Sequence, residues 1–134
     1  MQKDPNNLNT TLELSKEDMR AYGYKVIDHI VAHFDTQNDK KPVTQASRVE
    51  MDDLLTEDIP LSPSQPDDVL DFVMRDIIPN SNIVSHPKSY SFVPGPSNYV
   101  SVMADTIATG FNIFSGGWAA SPAAAELEIV TMNW

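Results

Sequence analysis

Residues 116–128 read GGWAASPAAAELE, and this stretch contains the start of a helix. Ser121 is a residue type that accepts a backbone N–H at a helix N-cap, and Pro122 suits the first helical position because its missing N–H has no partner there. Just before the cap, Trp118 lies among small residues. The sequence therefore predicts a helix that begins at Ser121 with a lone tryptophan beside its first turn.

The other end of this helix carries no stop signal. Between the cap and Trp134 there is no glycine, no basic last turn and no further proline. Helices normally satisfy their last carbonyl groups with such residues. We therefore expect that Trp134 falls inside a helix and that a longer polypeptide continues past it.

Apolar residues recur at helical spacing in three longer segments and one shorter one upstream of this helix. They cover residues 15–35, 49–55, 64–78 and 98–114. Ser15 is the expected N-cap of segment 15–35. Ser64 is the expected N-cap of segment 64–78, which Pro79 is expected to end. Since no segment alternates like a strand, the sequence predicts a mainly α-helical chain.

Composition restricts the class of protein. The chain has 134 residues, of which 41% are hydrophobic and 21% charged, as expected of a folded segment of one domain. Its formal charge of −10 makes nucleic acid or an anionic membrane an unfavourable partner. The absence of cysteine excludes disulfides and thiolate chemistry.

The N-terminal residues 1–14 are polar and carry no helical period, so we expect a flexible leader there. They lack the apolar region of a secretory signal, and no apolar run reaches the length of a membrane span. The expected location is therefore the cytoplasm, without a membrane partner.

Polar clusters offer little chemistry by themselves. His29 and His33 lie four residues apart, a spacing that can hold a metal, but neither the glutamate of a zinc hydrolase nor a third ligand accompanies them. The paired aspartates at 52–53 and 67–68 lie in or beside first helical turns, where the helix dipole favours negative charge. No metal or catalytic site is predicted from these groups.

Residues 85–97, SHPKSYSFVPGPS, contain three prolines and a glycine among aromatic residues. Proline fixes φ and removes the N–H groups that a phosphate cradle needs. This stretch is better suited to a rigid wall that presents Phe92, Val93 and Pro94 to an apolar ligand.

Several motifs in residues 86–134 occur in the order found in one enzyme family. They are His86-Pro87, Phe92-Val93-Pro94, Ala104-Asp105, Trp118 to Ala123, Glu126-Leu127-Glu128 and Met132-Asn133-Trp134. With these motifs the chain resembles the group II pyridoxal-phosphate-dependent amino-acid decarboxylases, and it is most similar to their aromatic-L-amino-acid decarboxylase branch. The likeness extends, more loosely, back to Ser15.

The resemblance implies the N-terminal helical part of a fold-type I, aspartate aminotransferase-like α/β enzyme. Such an enzyme is a homodimer that uses pyridoxal 5'-phosphate (PLP) to remove the α-carboxylate of an L-amino acid. Residues 15–84 would form a dimerisation segment, and residues 85–134 would form the wall and lead into the large PLP-binding domain. The Schiff-base lysine and the other cofactor-binding residues would lie beyond Trp134, so no catalytic or cofactor-binding residue is expected in this chain.

The resemblance also implies which residues face the substrate. Those matching the substrate-lining stretch are Phe92, Val93, Pro94 and Gly95, and those reaching the neighbouring subunit's pocket are Phe114 and Gly116. Val93 and Gly95 replace aromatic and hydroxyl residues common in animal members, and Gly116 replaces a bulky aromatic residue. A roomier pocket is therefore expected.

Tyrosine, phenylalanine, tryptophan and dihydroxyphenylalanine are the expected substrates of the whole enzyme, with this segment alone inactive. The block from Trp118 to Pro122 favours the aromatic branch. Two alternatives stay open from the sequence. One is a glutamate decarboxylase-like enzyme with an acidic substrate, and the other is a non-enzymatic helical dimerisation module.

Overall fold

The computed structural model describes residues 14–90, 93 and 95–134. Within these ranges the chain is helical and contains no strand, which confirms the predicted mainly α-helical class. Apart from Leu14, the predicted leader lies outside the described residues.

The chain forms two compact units, Met1–Pro96 and Ser97–Trp134. In the first unit the α-helices are α1 (Lys16–Thr36), α2 (Arg48–Leu55) and α3 (Pro66–Phe72). A 3-10 turn, Gln37–Asp39, extends α1. A π-helical turn, Val73–Ile77, and a second 3-10 turn, Ile78–Asn80, extend α3.

Helices α1 and α2 each begin at a residue whose side chain caps the first turn. The Ser15 hydroxyl oxygen accepts the Asp18 N–H at 3.0 Å and donates to the Asp18 carboxylate at 2.8 Å. Ser47 and Glu50 form a reciprocal capping box, in which the Glu50 carboxylate accepts the Ser47 N–H at 2.7 Å. The predicted start of α1 at the Ser15 cap is confirmed, whereas α2 begins one residue before the predicted segment 49–55, at a cap that the sequence analysis did not predict.

The third helix differs from its prediction at both ends. Its N-cap is Gln65 rather than Ser64, with no side-chain cap bond, and Pro66 takes the first helical position. Downstream, the helical period continues only through the π-helical and 3-10 turns. The Asn80 side-chain amide donates to the Asp76 carbonyl at 2.8 Å, so a side chain, rather than a continued helix, satisfies that carbonyl.

Helices α1 and α3 are joined by one ion pair. Lys25 Nζ lies 2.7 Å from Asp67 Oδ2, and both side chains are about half exposed, at 53% and 57%. Exposed pairs of this kind stabilise a fold only weakly. The pair therefore fixes the register of the first turn of α3 against α1 more than it contributes to stability.

Two segments far apart in the chain are held together by what we call the clasp, residues 37–44 with residues 82–86. The Ile83 N–H donates to the Pro42 carbonyl at 2.9 Å, and the Thr44 N–H donates to the Asn82 side-chain oxygen at 3.0 Å. Backbone groups that lack a helical partner are satisfied here across a long loop.

The second unit contains α4 (Tyr99–Gly110) and α5 (Pro122–Met132). Helix α4 begins at an Asn98–Ser101 capping box and ends four residues before the predicted Phe114. Asn112 adopts a left-handed conformation, φ 49°, and the Ile113 N–H donates to the Ala108 carbonyl at 3.1 Å. This six-residue return bond is a Schellman motif, which terminates a helix when a residue after its end adopts that conformation.

Helix α5 begins where the sequence predicts, with Pro122 at its first position, although the Ser121 side chain makes no cap bond. In the structure α5 extends to Met132, and the N–H groups of Asn133 and Trp134 donate to the carbonyls of Val130 and Thr131, at 3.2 and 3.3 Å. Continuation of the helix past Trp134 stays a prediction. Bonds to the third preceding residue tighten a last turn and satisfy carbonyl groups without a glycine.

Among the described residues no hydrophobic side chain is buried, and His86, at 5% exposure, is the buried polar one. The apolar faces of the helices remain open; Leu127, for example, is 65% exposed and Met132 82%. Hydrophobic burial is the main source of folding free energy, so these helices gain little of it from one another. None of the described helices is both long and apolar enough to cross a membrane.

Candidate functional site

The first predicted site segment, residues 85–97, is anchored by the buried His86. Its Nδ1 atom accepts the Lys88 N–H at 2.9 Å, and its Nε2 atom lies 3.2 Å from the Asn38 carbonyl oxygen. A ring nitrogen that accepts carries no proton, and one that faces a carbonyl must donate. The neutral tautomer with hydrogen on Nε2 satisfies both contacts, and it ties the start of this segment to the end of α1.

A second contact reinforces the anchor. The Ser85 hydroxyl donates to the Gln37 side-chain oxygen. Ser85 and His86 thus both bond to the 3-10 turn that extends α1. The segment that leads to the predicted wall is therefore held at its first two residues by the clasp.

The wall itself is only partly described. Phe92 and Pro94 lie outside the described residues. Val93 is 98% exposed, and a Cβ atom built on Gly95 would meet no other atom within 4 Å. The substrate-lining role of these four residues stays a prediction.

The second predicted site segment is the loop 111–121 between α4 and α5. The left-handed turn at Asn112 directs the chain away from α4 and leads directly to Phe114. Further on, the N–H groups of Ala120 and Ser121 both donate to the Gly117 carbonyl at 3.1 Å, which closes a tight turn before α5. The loop is thus fixed by hydrogen bonds at both ends.

Within this loop the structure brings together two predicted site residues, Phe114 and Gly116. A Cβ atom built on Gly116 would lie 2.6 Å from Phe114 Cζ and 3.0 Å from Phe114 Cε2. Such distances are well inside van der Waals contact, so the ring occupies the space that a side chain at position 116 would need. Phe114 itself is 64% exposed.

A cavity lies elsewhere in the first unit, beside the clasp. Its volume is about 570 Å³, and it is lined by His33, Lys40, Lys41, Val43, Thr44, Gln45, Met74, Ile78, Pro79, Ser81 and Ile83. Partial burial, together with the positive charge of Lys40, lowers the pKa of His33. None of the predicted substrate-facing residues that the structure describes lines this cavity.

The surroundings of Lys25, Lys40 and Lys41 do not fit a PLP site. A Schiff-base lysine needs a lowered pKa, whereas the hydrogen bond to Asp67 raises the pKa of Lys25. The cavity that holds Lys40 and Lys41 has no acidic lining residue to pair with a pyridine nitrogen. Nor do the described residues contain a group of three or more histidines and carboxylates that could hold a metal ion.

Sequence reasoning missed the residues that position the two loops. His86 was noticed only as part of a motif, because its partner Asn38 lies 48 residues away and no local pattern announces the contact. Asn112 was recognisable in principle, since asparagine is the commonest residue after glycine at a left-handed helix end. The apolar residues at helical spacing up to Phe111 predicted a longer helix instead.

No protein-family model matches the chain. The aromatic-L-amino-acid decarboxylase of Bacillus atrophaeus is 40% identical over 95% of this chain, which covers 26% of that protein. Among solved structures, Catharanthus roseus tryptophan decarboxylase in complex with L-tryptophan has a TM-score of 0.78 and 25% identity, covering 90% of this chain and 26% of that one. Oryza sativa TDC with PLP and tryptamine has a TM-score of 0.79 and 23% identity, covering 90% and 25%.

The fold and the sequence therefore agree on an N-terminal region of the decarboxylase type. More particularly, the chain matches the N-terminal quarter of aromatic amino-acid decarboxylases, which confirms the resemblance predicted from residues 86–134. The chain spans about a quarter of the length of the relatives that it matches.

Proposed function

We propose that this chain is the N-terminal segment of a PLP-dependent decarboxylase that acts on aromatic L-amino acids. The observation that carries the proposal is the agreement of sequence and fold along almost the whole chain. The identity of 40% extends over 130 residues, and the helices superpose on a tryptophan decarboxylase with a TM-score of 0.78.

The share of this segment in the reaction is to shape the substrate site. Phe92, Val93, Pro94 and Gly95 form one wall, and Phe114 and Gly116 reach the pocket of a neighbouring subunit. Apolar contacts to an aromatic side chain supply binding energy that orients the bond to be broken. PLP is held by residues outside this chain, in keeping with the poor fit of the described lysines.

The open apolar faces support a homodimer as the working form, and we propose the cytoplasm as its location. No described hydrophobic side chain is buried, and Trp118 and Leu127 are 59% and 65% exposed. Exposed apolar surface on this scale is unusual on a finished monomer. The remaining decarboxylase sequence and a second subunit are the proposed cover.

A chimera tests the proposal directly. Residues 1–134 replace the matching N-terminal quarter of the Bacillus atrophaeus decarboxylase, and release of carbon dioxide is measured with added PLP. We expect turnover of tyrosine, phenylalanine, tryptophan or dihydroxyphenylalanine. The unchanged Bacillus protein is the positive control, and the same protein without its N-terminal quarter is the negative control.

The same assay separates the rival functions. Preference for glutamate over every aromatic amino acid would favour the acidic-substrate alternative. A chimera that assembles as a dimer and carries PLP but releases no carbon dioxide from any of these substrates would count against a role for this chain in substrate binding. It would leave only the dimerisation module.

A further inference from the structure

The loop 111–121 contains a contact that determines how much space the loop occupies. The ring of Phe114 lies over Gly116, and a methyl group at position 116 would come within 2.6 Å of Cζ and 3.3 Å of Cε1. These atoms are the far end of a side chain with rotatable bonds. A substituent at position 116 therefore displaces the ring rather than the backbone.

The neighbouring glycine behaves differently. A Cβ atom built on Gly117 lies 4.0 Å from Phe114 Cε1, which is an ordinary contact distance, and one built on Gly110 meets nothing within 4 Å. Among these three glycines, only Gly116 has the Phe114 ring in the space of its missing side chain. The glycine at 116 is thus the one on which the ring position depends.

Because the backbone of the loop is held at both ends, a side chain at position 116 is accommodated by rotation of the Phe114 ring. The loop is fixed on one side by the Schellman motif at Asn112 and on the other by the turn that closes on the Gly117 carbonyl. Because aromatic side chains occupy staggered positions about χ1, a displaced ring moves by a step of roughly 120°. Its tip then moves by several ångströms, not by a small adjustment.

We infer that Gly116 is a positioning residue that sets substrate size through Phe114. With glycine at 116 the ring folds back over its own loop and leaves the space in front of the loop open. Any side chain at 116 takes the place of the ring over the loop and turns the ring outward into that open space. The native loop therefore suits large, fused bicyclic aromatic amino acids, of which tryptophan is the test compound.

This inference rests on the proposed function, since it assumes that the loop faces a substrate. The test uses the chimera described above in four forms: unchanged, Gly116→Ala, Phe114→Ala and the double variant. For each, kcat/KM is measured with tryptophan and with tyrosine. We expect Gly116→Ala to lower the tryptophan-to-tyrosine ratio about tenfold, the lower end of what one methyl group contributes in an apolar pocket.

The Phe114→Ala background decides whether position 116 acts through the ring. Without the ring, the added methyl group has nothing to displace, so Gly116→Ala should then change the ratio far less. An equal effect in both backgrounds would overturn the inference, because position 116 would then act by its own bulk. Gly117→Ala is the matched control and should leave the ratio unchanged.

A structural readout separates failure of this inference from failure of the proposed function. In the chimera, 4-fluorophenylalanine at position 114 reports the ring environment by fluorine NMR. Gly116→Ala should shift the resonance much more than Gly117→Ala, whose methyl group would touch only Cε1, at 4.0 Å. An unshifted resonance overturns the ring contact whatever the activity, and a shift with an unchanged substrate ratio in an active chimera overturns only the specificity role. An inactive unchanged chimera would remove the specificity role together with the proposed function.

Discussion

His86 and Asn38 lie 48 residues apart in the chain, yet the imidazole Nε2 atom is 3.2 Å from the Asn38 carbonyl oxygen. The contact joins the end of α1 to the segment that leads to the predicted substrate wall. Since the same ring accepts the Lys88 N–H through Nδ1, one buried side chain fixes both the place and the local shape of that segment.

Replacing His86 should weaken the clasp to a degree that depends on how many of its two hydrogen bonds the new side chain loses. His86→Phe keeps the size of the side chain but loses both hydrogen bonds, at a cost of about 1 to 2 kcal/mol. His86→Gln places an amide donor near the position of Nε2, and His86→Asn places an oxygen near the position of Nδ1, so each should cost less. Hydrogen exchange of the Ile83 and Lys88 amides measures the effect.

The two partial variants also provide a control on the assignment of the tautomer. With His86→Asn the Lys88 amide should stay protected, and with His86→Gln it should exchange faster. Equal protection of both amides in all three variants would contradict the contact to Asn38 as the anchor of the segment.

Asn112 should tolerate glycine and resist alanine. Its φ of 49° lies in the left-handed region, where a side chain with a Cβ atom and no local hydrogen-bonding group costs roughly 1 kcal/mol. Asn112→Ala should therefore fray the end of α4, whereas Asn112→Gly should be close to neutral. Protection of the Ile113 amide, which donates to the Ala108 carbonyl, reports the change. Equal loss of protection in both variants would argue against a conformational cause.

The pKa of His33 should respond to one of its two neighbouring lysines. Partial burial lowers it first and the charge of Lys40 lowers it further, so Lys40→Gln should raise the pKa towards its ordinary value without fully restoring it. Titration of the imidazole protons by NMR measures the shift. Lys41→Gln is the control, because Lys41 lines the same cavity but is not a cause of the shift.

The sign of the associated stability change follows from the direction of that shift. The unfolded chain takes up a proton near the ordinary histidine pKa of about 6.5, before the folded chain does. Stability should therefore fall as the pH drops through about 6.5 towards the lower folded pKa, and be unaffected by this group above it. His33→Gln should flatten that part of the pH profile, and an unchanged profile would show that His33 is not responsible.

Local sequence signals were sufficient to predict much of the fold. Contacts between residues far apart in the chain could not be predicted from such signals. Ser15 and Pro122 are capping and first-turn residues whose chemistry acts within one helical turn, so the starts of α1 and α5 were predictable. The end of α4 depended on a single left-handed residue, Asn112, in a segment whose apolar residues recur at helical spacing. The anchor at His86 depended on a partner 48 residues away.

In the candidate site, too, the identity of the residues was predictable but the contact between them was not. The resemblance identified Phe114 and Gly116 as substrate-side residues, but spacing along the chain does not say that the ring of one occupies the side-chain space of the other. That contact depends on the turn at Asn112. The sequence pattern had predicted that this residue lies inside a longer helix. A misplaced helix end therefore concealed the main structural relationship within the loop.

The 134-residue chain alone should not retain PLP. A Schiff base forms from the neutral amine, and the hydrogen bond to Asp67 raises the pKa of Lys25 and so favours its ammonium form. After incubation with PLP, dialysis and borohydride reduction, we expect no absorption band and no modified lysine by mass spectrometry. Asp67→Asn removes the main cause of the raised pKa and serves as the matched variant, while the chimera is the positive control. A stable adduct at one lysine of the unchanged chain would show that part of the cofactor site lies within these residues.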